Sequence, residues 1–175
     1  GCSLLVFGIE SADPEILKKI NKRIDLKLID KVLQNCNEAG IKAEFNIMYG
    51  FPWDNHKTMK ETEDLIKRYA VTCIMLVRPL IGTILYDEYK KLGLMNQEMT
   101  LDNYIFSKKY PMFPTLYLSR EEVYGWHKRF EATASKYCFK RKIKEVGFAS
   151  ALAYWINIKG FKLLNIKKIF QHILN

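Results

Sequence analysis

The stretch of this 175-residue chain best equipped for chemistry is Asn46-Ile47-Met48-Tyr49-Gly50-Phe51-Pro52-Trp53-Asp54. An apolar run enters Gly-x-Pro, an acidic residue follows, and then comes the polar start of a long helical stretch. α/β proteins build ligand-facing strand ends in this way. The other reactive residue types are scattered. Cys2, Cys36, Cys73 and Cys138 show no paired spacing, whereas metal and redox motifs place two thiols within a few residues, so the chain holds no self-contained cluster or zinc motif. Cys36 falls in an apolar-periodic helix and Cys73 opens a strand, which makes both core thiols. His56 and His127 fall on helical stretches with no second ligand at metal spacing, and His172 stands near the C-terminus; all three read as surface or packing residues. There is no Ser-His-Asp order, no phosphate-cradling glycine loop and no HExxH, so hydrolase and P-loop chemistry has no support.

The elements that must position these residues alternate strand and helix. Ser3 to Ile9 is a continuous apolar run, expected to be a strand buried on both faces of a parallel sheet. Ser11 or Asp13 can cap the helix that follows, with Pro14 in its first turn. Asp25 caps a second helix, whose Leu28, Ile29, Val32, Leu33 and Cys36 recur at three and four, and Gly40 ends it. Ala43 to Tyr49 is the next strand, and the roughly 30 residues between the two suffice for a right-handed helical crossover, so the strands are expected to be parallel neighbours. Asn55 or Thr58 caps a helix carrying Met59, Leu65 and Ile66. Cys73 to Val77 is a third buried strand, and Gly82-Thr83 opens a further helix that stops at Gly93. Thr100 to Leu118 is loop-like and aromatic. Ser119-Arg120-Glu121-Glu122 is a capping box for a helix to about Cys138, and Ala151 to Leu174 reads as one or two amphipathic helices.

Apolar residues make up 49% and charged residues 27% of the chain, the balance of a globular protein. No apolar run reaches the roughly 18 residues of a membrane span, and the N-terminus lacks a secretory signal, so a cytoplasmic location is expected. The net charge of +9 is uneven: residues 1–100 hold 14 Lys/Arg against 14 Asp/Glu, and residues 101–175 hold 14 against 5. That asymmetry marks a change of role near residue 100 and points to an anionic partner. Two units are expected, 1–100 and 101–175.

One ordered series carries a resemblance: Phe7-Gly8-Ile9-Glu10-Ser11, Asp13-Pro14-Glu15-Ile16-Leu17-Lys18-Lys19-Ile20-Asn21-Lys22, Ala39-Gly40-Ile41-Lys42, Tyr49-Gly50-Phe51-Pro52-Trp53-Asp54 and Pro79-Leu80-Ile81-Gly82-Thr83-Ile84-Leu85-Tyr86. It resembles the second half of the radical SAM fold, most closely the branch of the anaerobic magnesium-protoporphyrin ester cyclases, whose members often carry a cobalamin-binding domain. Residues 114–145 resemble the region after that branch's barrel. The resemblance implies α/β architecture: strands four to six of a six-stranded partial (βα) barrel, then an α-helical C-terminal extension. It also implies S-adenosylmethionine and a 4Fe-4S cluster as cofactors, with cobalamin as an optional third. The family's C-x-x-x-C-x-x-C triplet, which holds the cluster, does not occur in this chain, so a missing N-terminal half, in the same polypeptide or as a split subunit, is the implied partner.

Roles carry over residue by residue. Glu10 and Ser11 match positions that face the ribose or the charged methionine end of S-adenosylmethionine, with helix capping as the alternative. Met48 and Gly50 match an apolar contact to adenine and a glycine that admits close backbone approach; Asn46 stands where the family often has glycine. The backbone from Val77 to Pro79 matches the adenine-contacting edge. Trp53-Asp54 replaces the usual Gly-Glu, and Asp54 reads as a plain helix N-terminal charge. Arg78 is open between an anionic substrate and a surface ion pair.

A second function class remains: a non-catalytic module that docks a membrane surface or a partner through its C-terminal helices, since residues 136–175 carry nine Lys/Arg and one Glu. No nucleic-acid recognition motif occurs, so nucleic acid ranks below membrane or protein.

Overall fold

The three apolar runs that read as strands form one parallel sheet in chain order: β1 (Leu4–Glu10), β2 (Lys42–Tyr49) and β3 (Cys73–Leu76). The computed structural model describes residues 1–95 and 113–159, apart from the side chains of 157–159. β1 and β2 run in register from Leu4 opposite Lys42 to Gly8 opposite Asn46, and a bulge between Gly8 and Glu10 then breaks the ladder. β2 continues beside β3 from Asn46 opposite Cys73 to Tyr49 opposite Leu76. β2 is therefore the central strand, and its Asn46 and Ile47 pair on both sides.

Helices start and stop where the local chemistry dictates. α1 (Pro14–Lys19) is capped by Asp13, whose carboxylate accepts from Ile16 N. Asp25 caps a single 3-10 turn (Leu26–Leu28) that leads into α2 (Ile29–Glu38). α3 (His56–Tyr69) has Asn55 as its cap, with Thr58 completing the capping box. Thr83 caps α4 (Ile84–Lys91). Ser119 and Glu122 form the capping box of α5 (Arg120–Val146), and α6 (Phe148–Lys159) follows. α5 runs two turns past its expected end near Cys138. Lys140 to Lys144 are good helix formers, and the first residue able to stop the helix is Gly147, at φ 80°. Of the expected aromatic loop, residues 100–112 lie outside the described residues, as do residues 160–175 of the expected tail.

Period-two alternation divides the faces of β2. Ala43, Phe45, Ile47 and Tyr49 are buried beneath α2, α3 and α5, in a core that also takes Met59, Ile66, Val123 and Phe130. The opposite face carries Glu44, Asn46 and Met48, all half-buried. A second, smaller core gathers Ile16, Phe51, Val77, Tyr86, Tyr89 and Phe113, with Met48 packed against it.

Full burial of the outer strands is not observed. Leu4, Leu5 and Val6 of β1 are 43%, 39% and 53% exposed, and Met75 of β3 is 41% exposed. The reason is position: β1 pairs only with β2, so its other edge has no strand beside it among the described residues.

Candidate functional site at the strand C-terminal ends

Gly50 to Asp54 form a knot just past the end of β2. The Asp54 carboxylate turns back and accepts from Gly50 N at 2.7 Å and Phe51 N at 2.9 Å through one oxygen, and from Thr58 Oγ1 at 2.6 Å through the other. The Asp54 carbonyl accepts from Thr115 Oγ1 at 2.7 Å, and the Pro52 carbonyl from Leu116 N at 2.8 Å. The Tyr89 hydroxyl donates to the Gly50 carbonyl, and Val77 N donates to the Tyr49 carbonyl at 2.8 Å. One short loop thus ties β2 to the exit of β3, to α4 and to the segment before α5. Gly50 sits at φ 83°, and a Cβ there would lie 2.8 Å from Leu76 Cδ1, so both its conformation and its packing call for glycine.

Asp54, which the sequence reads as a plain helix N-terminal charge, does more than that. It is 2% exposed, and Asn55 takes the capping position. Burial pushes its carboxyl above the ordinary range, the bonds from Thr58, Phe51 and Gly50 pull the other way, and the charge of Asp13 adds a further upward push. With both oxygens engaged, its role is to hold the loop. Burial, reinforced by the charge of Asp54, also raises the Tyr89 phenol.

The residues singled out from sequence lie at this end of the sheet, with different amounts left to offer a ligand. Asn46 and Met48 are half-buried on the face of β2 opposite the main core, where Met48 packs against the second core, and the Asn46 side chain makes no hydrogen bond among the described residues. Glu10 ends β1 at φ 68°, centred in a three-residue turn closed by Ser11 N donating to the Ile9 carbonyl at 2.9 Å. Its carboxylate pairs with Lys22 at 3.1 Å and remains partly exposed. Ser11 is 3% exposed, and its hydroxyl accepts from Asp13 N at 3.1 Å. Val77 and Pro79 are buried, and the Val77 amide is spent on the Tyr49 carbonyl. The Gly50 amide and carbonyl are both spent within the loop. Trp53, where the family pattern has glycine, lies under Lys19, whose Nζ is 4.5 Å from the ring centroid.

What this set leaves for a ligand is the uncommitted Asn46 amide beside the half-buried Met48 side chain, with the Glu10 carboxylate, paired with Lys22, one strand away. An iron-sulfur cluster does not fit. The four cysteines are separate, Cys2 exposed, Cys36 buried, Cys73 and Cys138 between, and no three His, Cys, Asp or Glu side chains gather for a metal among the described residues.

Sequence reasoning missed two features that fix α5 in place, one to α3 and one to the sheet. Glu63 is buried on α3 and receives Arg129 Nε at 2.8 Å and Nη2 at 2.9 Å from α5, along with Lys60 and Lys67. The signal was available: Glu63 falls four residues after Met59 and three before Ile66, on the buried stripe of α3. The Tyr49 hydroxyl lies 2.5 Å from His127 Nδ1. A phenol on the core face of a strand needs a polar partner, but nothing local pointed to a residue 78 positions away. No described helix is long and apolar enough to cross a membrane.

No family model matches the chain. Among curated proteins it is 32% identical over 93 residues to the bacteriochlorophyllide d C-12(1)-methyltransferase of Chlorobaculum tepidum, covering 51% of this chain and 20% of that protein. It is 24% identical over 102 residues to the bacteriochlorophyllide d C-8(2)-methyltransferase of the same organism, covering 56% and 23%. An uncharacterised protein of Methanocaldococcus jannaschii is 28% identical over 87 residues, covering 48% and 27%. The matched stretches thus span about half of this chain and only a fifth to a quarter of these relatives.

Proposed function

We propose that this chain is the C-terminal portion of a radical SAM enzyme, supplying the adenosine side of an S-adenosylmethionine site at the end of β2. In that reading Met48 lies against adenine, Asn46 bonds its edge or the ribose, and the Glu10 carboxylate receives ribose hydroxyls or the methionine ammonium. Asp54 and Tyr89 keep the loop rigid beside them. The sheet is the second half of a partial (βα) barrel, and the bare edge of β1, with exposed Leu4, Leu5 and Val6, is where the preceding half pairs. The cluster belongs to that half, because the cysteines here do not gather. When bound, S-adenosylmethionine supplies a sulfonium as a source of either a methyl group or a 5′-deoxyadenosyl radical. Two of the matched relatives are methyltransferases by name, so methyl transfer is the first reaction to assay, with a tetrapyrrole as the first substrate.

One observation carries the reading: the ordered strand-end motifs belong to one parallel sheet, with Glu10, Met48 and Pro79 at the C-terminal ends of adjacent strands. The test is to sequence the coding region directly upstream and, where it encodes C-x-x-x-C-x-x-C, to purify the joined or paired polypeptide anaerobically. S-adenosylmethionine cleavage by that assembly is the expected result. A triplet-free upstream region overturns the catalytic assignment.

A further inference from the structure

At the opposite end of the sheet from the candidate site, a groove of about 470 Å³ opens where β2 begins, α2 and α3 end, and α5 passes. Six basic side chains line it against one acid, Glu145. Three of the six are already neutralised: Lys42 by Glu44 at 2.6 Å, Lys67 by Glu63 at 3.0 Å, and Arg68 by Asp30 at 2.5 Å. The other three come from one face of α5. Lys140 and Lys144 have no acidic partner among the described residues, and Arg141 stands 3.6 Å from Glu145. Their spacing of one, three and four residues sets all three on the same side of the helix.

Helix C-termini attract cations, which accounts for Lys67 and Arg68 at the end of α3. It does not account for Lys140 and Arg141, which lie more than a turn inside α5. The groove wall also carries Phe45, Tyr69 and Tyr137, and Lys140 Nζ rests 5.4 Å from the Tyr137 ring. Two cations without an acidic partner and a third held by Glu145 at 3.6 Å, on one helix face beside an aromatic wall in a cleft of small-ligand size, suit an organic phosphate, whose dianion can engage several of them at once.

We propose that this groove binds a phosphate-bearing anion through Lys140, Arg141 and Lys144. Neither the strand-end site nor the proposed chemistry there is needed for it. Two sources share this chemistry, a soluble phosphate ester and a phospholipid headgroup, and the experiment separates them. The full chain is titrated calorimetrically with inorganic pyrophosphate and, in parallel, sedimented with phosphatidylcholine vesicles with and without phosphatidic acid. Both measurements are repeated on Lys140→Gln/Lys144→Gln and on a remote control, Lys57→Gln/Lys128→Gln, whose side chains are also exposed. Circular dichroism confirms that each variant keeps its helices.

The expected result is binding of pyrophosphate, of phosphatidic acid vesicles or of both, weakened about tenfold or more in the groove variant and little changed in the control. Pyrophosphate alone identifies a soluble ligand, and vesicles alone a headgroup. Absence of both binding signals in the unmodified chain overturns the proposal. So does equal weakening in the two variants, which would mean that net charge, not the groove, attracts the anion.

Discussion

Replacing Asp54 tests whether the strand-end loop is held by geometry or by charge. In Asp54→Ala the Gly50 and Phe51 amides and the Thr58 hydroxyl lose their acceptor at once. Hydrogen bonds to a charged group are each worth about 1.5–3 kcal/mol, but Thr58 can turn to the Asn55 carbonyl, 3.1 Å away. Two buried amides are then left unsatisfied, a cost of about 2–6 kcal/mol. Asp54→Asn behaves differently. Its carbonyl oxygen can accept from both amides, while its NH2 group donates to Thr58 Oγ1 and the Thr58 hydroxyl rotates to the Asn55 carbonyl. That is the pattern a protonated Asp54 would make. Because burial raises the Asp54 carboxyl in the folded state, charging it weakens folding as pH climbs from the unfolded carboxyl value through the folded one. An uncharged amide avoids that loss, so Asp54→Asn should stay within about 1 kcal/mol of the unmodified chain at pH 7. Urea unfolding at pH 7, followed by circular dichroism, measures both variants. Equal, large losses in the two would show that the negative charge holds the loop and refute the reasoning; so would an Asp54→Ala loss below about 1 kcal/mol.

Three other outcomes are expected. Gly50→Ala should cost about 1–2 kcal/mol in the same unfolding assay, since a side chain at φ 83° is strained and Leu76 must give way. Glu63→Gln should cost roughly 1–2 kcal/mol at pH 7, discounted because Arg129 is half exposed. Burial alone would raise the Glu63 carboxyl, but Arg129, Lys60 and Lys67 overcome it and hold the group well below the usual range. Its stabilisation is therefore present above the unfolded carboxyl value and lost as pH falls; the variant should show a flatter acid limb when stability is measured from pH 7 to pH 3. Anaerobic incubation of this chain alone with iron and sulfide should leave its visible spectrum featureless, because its four cysteines stand apart; a stable broad visible band would contradict this.

Much of the fold was legible because it is written locally. Caps at Asp13, Asn55, Thr83 and Ser119, stops at Gly40 and Gly93, and apolar runs for three strands each depend on a few neighbouring residues. Parallel pairing followed from the length of the connection between the first two strands. What depends on distant partners was not legible. The exposure of Leu4 to Val6 reflects the place of β1 at the edge of the described sheet, not a property of the run itself. α5 shares its core with the sheet through Val123 and Phe130, and clamps α3 through Arg129 and Glu63, partners 66 residues apart. At the candidate site the strand ends were found, but which groups remain free was not: Ser11 and Gly50 looked ligand-ready, and their polar atoms are consumed by Asp13, Asp54 and Tyr89.

The central claim is that Met48 and Asn46 face the adenosine of S-adenosylmethionine. It is tested most directly by calorimetric titration of the anaerobically reconstituted full polypeptide with S-adenosylmethionine, comparing the unmodified protein with Met48→Ala and Asn46→Ala. Losing an apolar contact or a hydrogen bond to the ligand removes about 1–1.5 kcal/mol, so each variant should bind roughly tenfold more weakly while keeping its cluster absorbance. Unchanged affinity in both variants would contradict the claim.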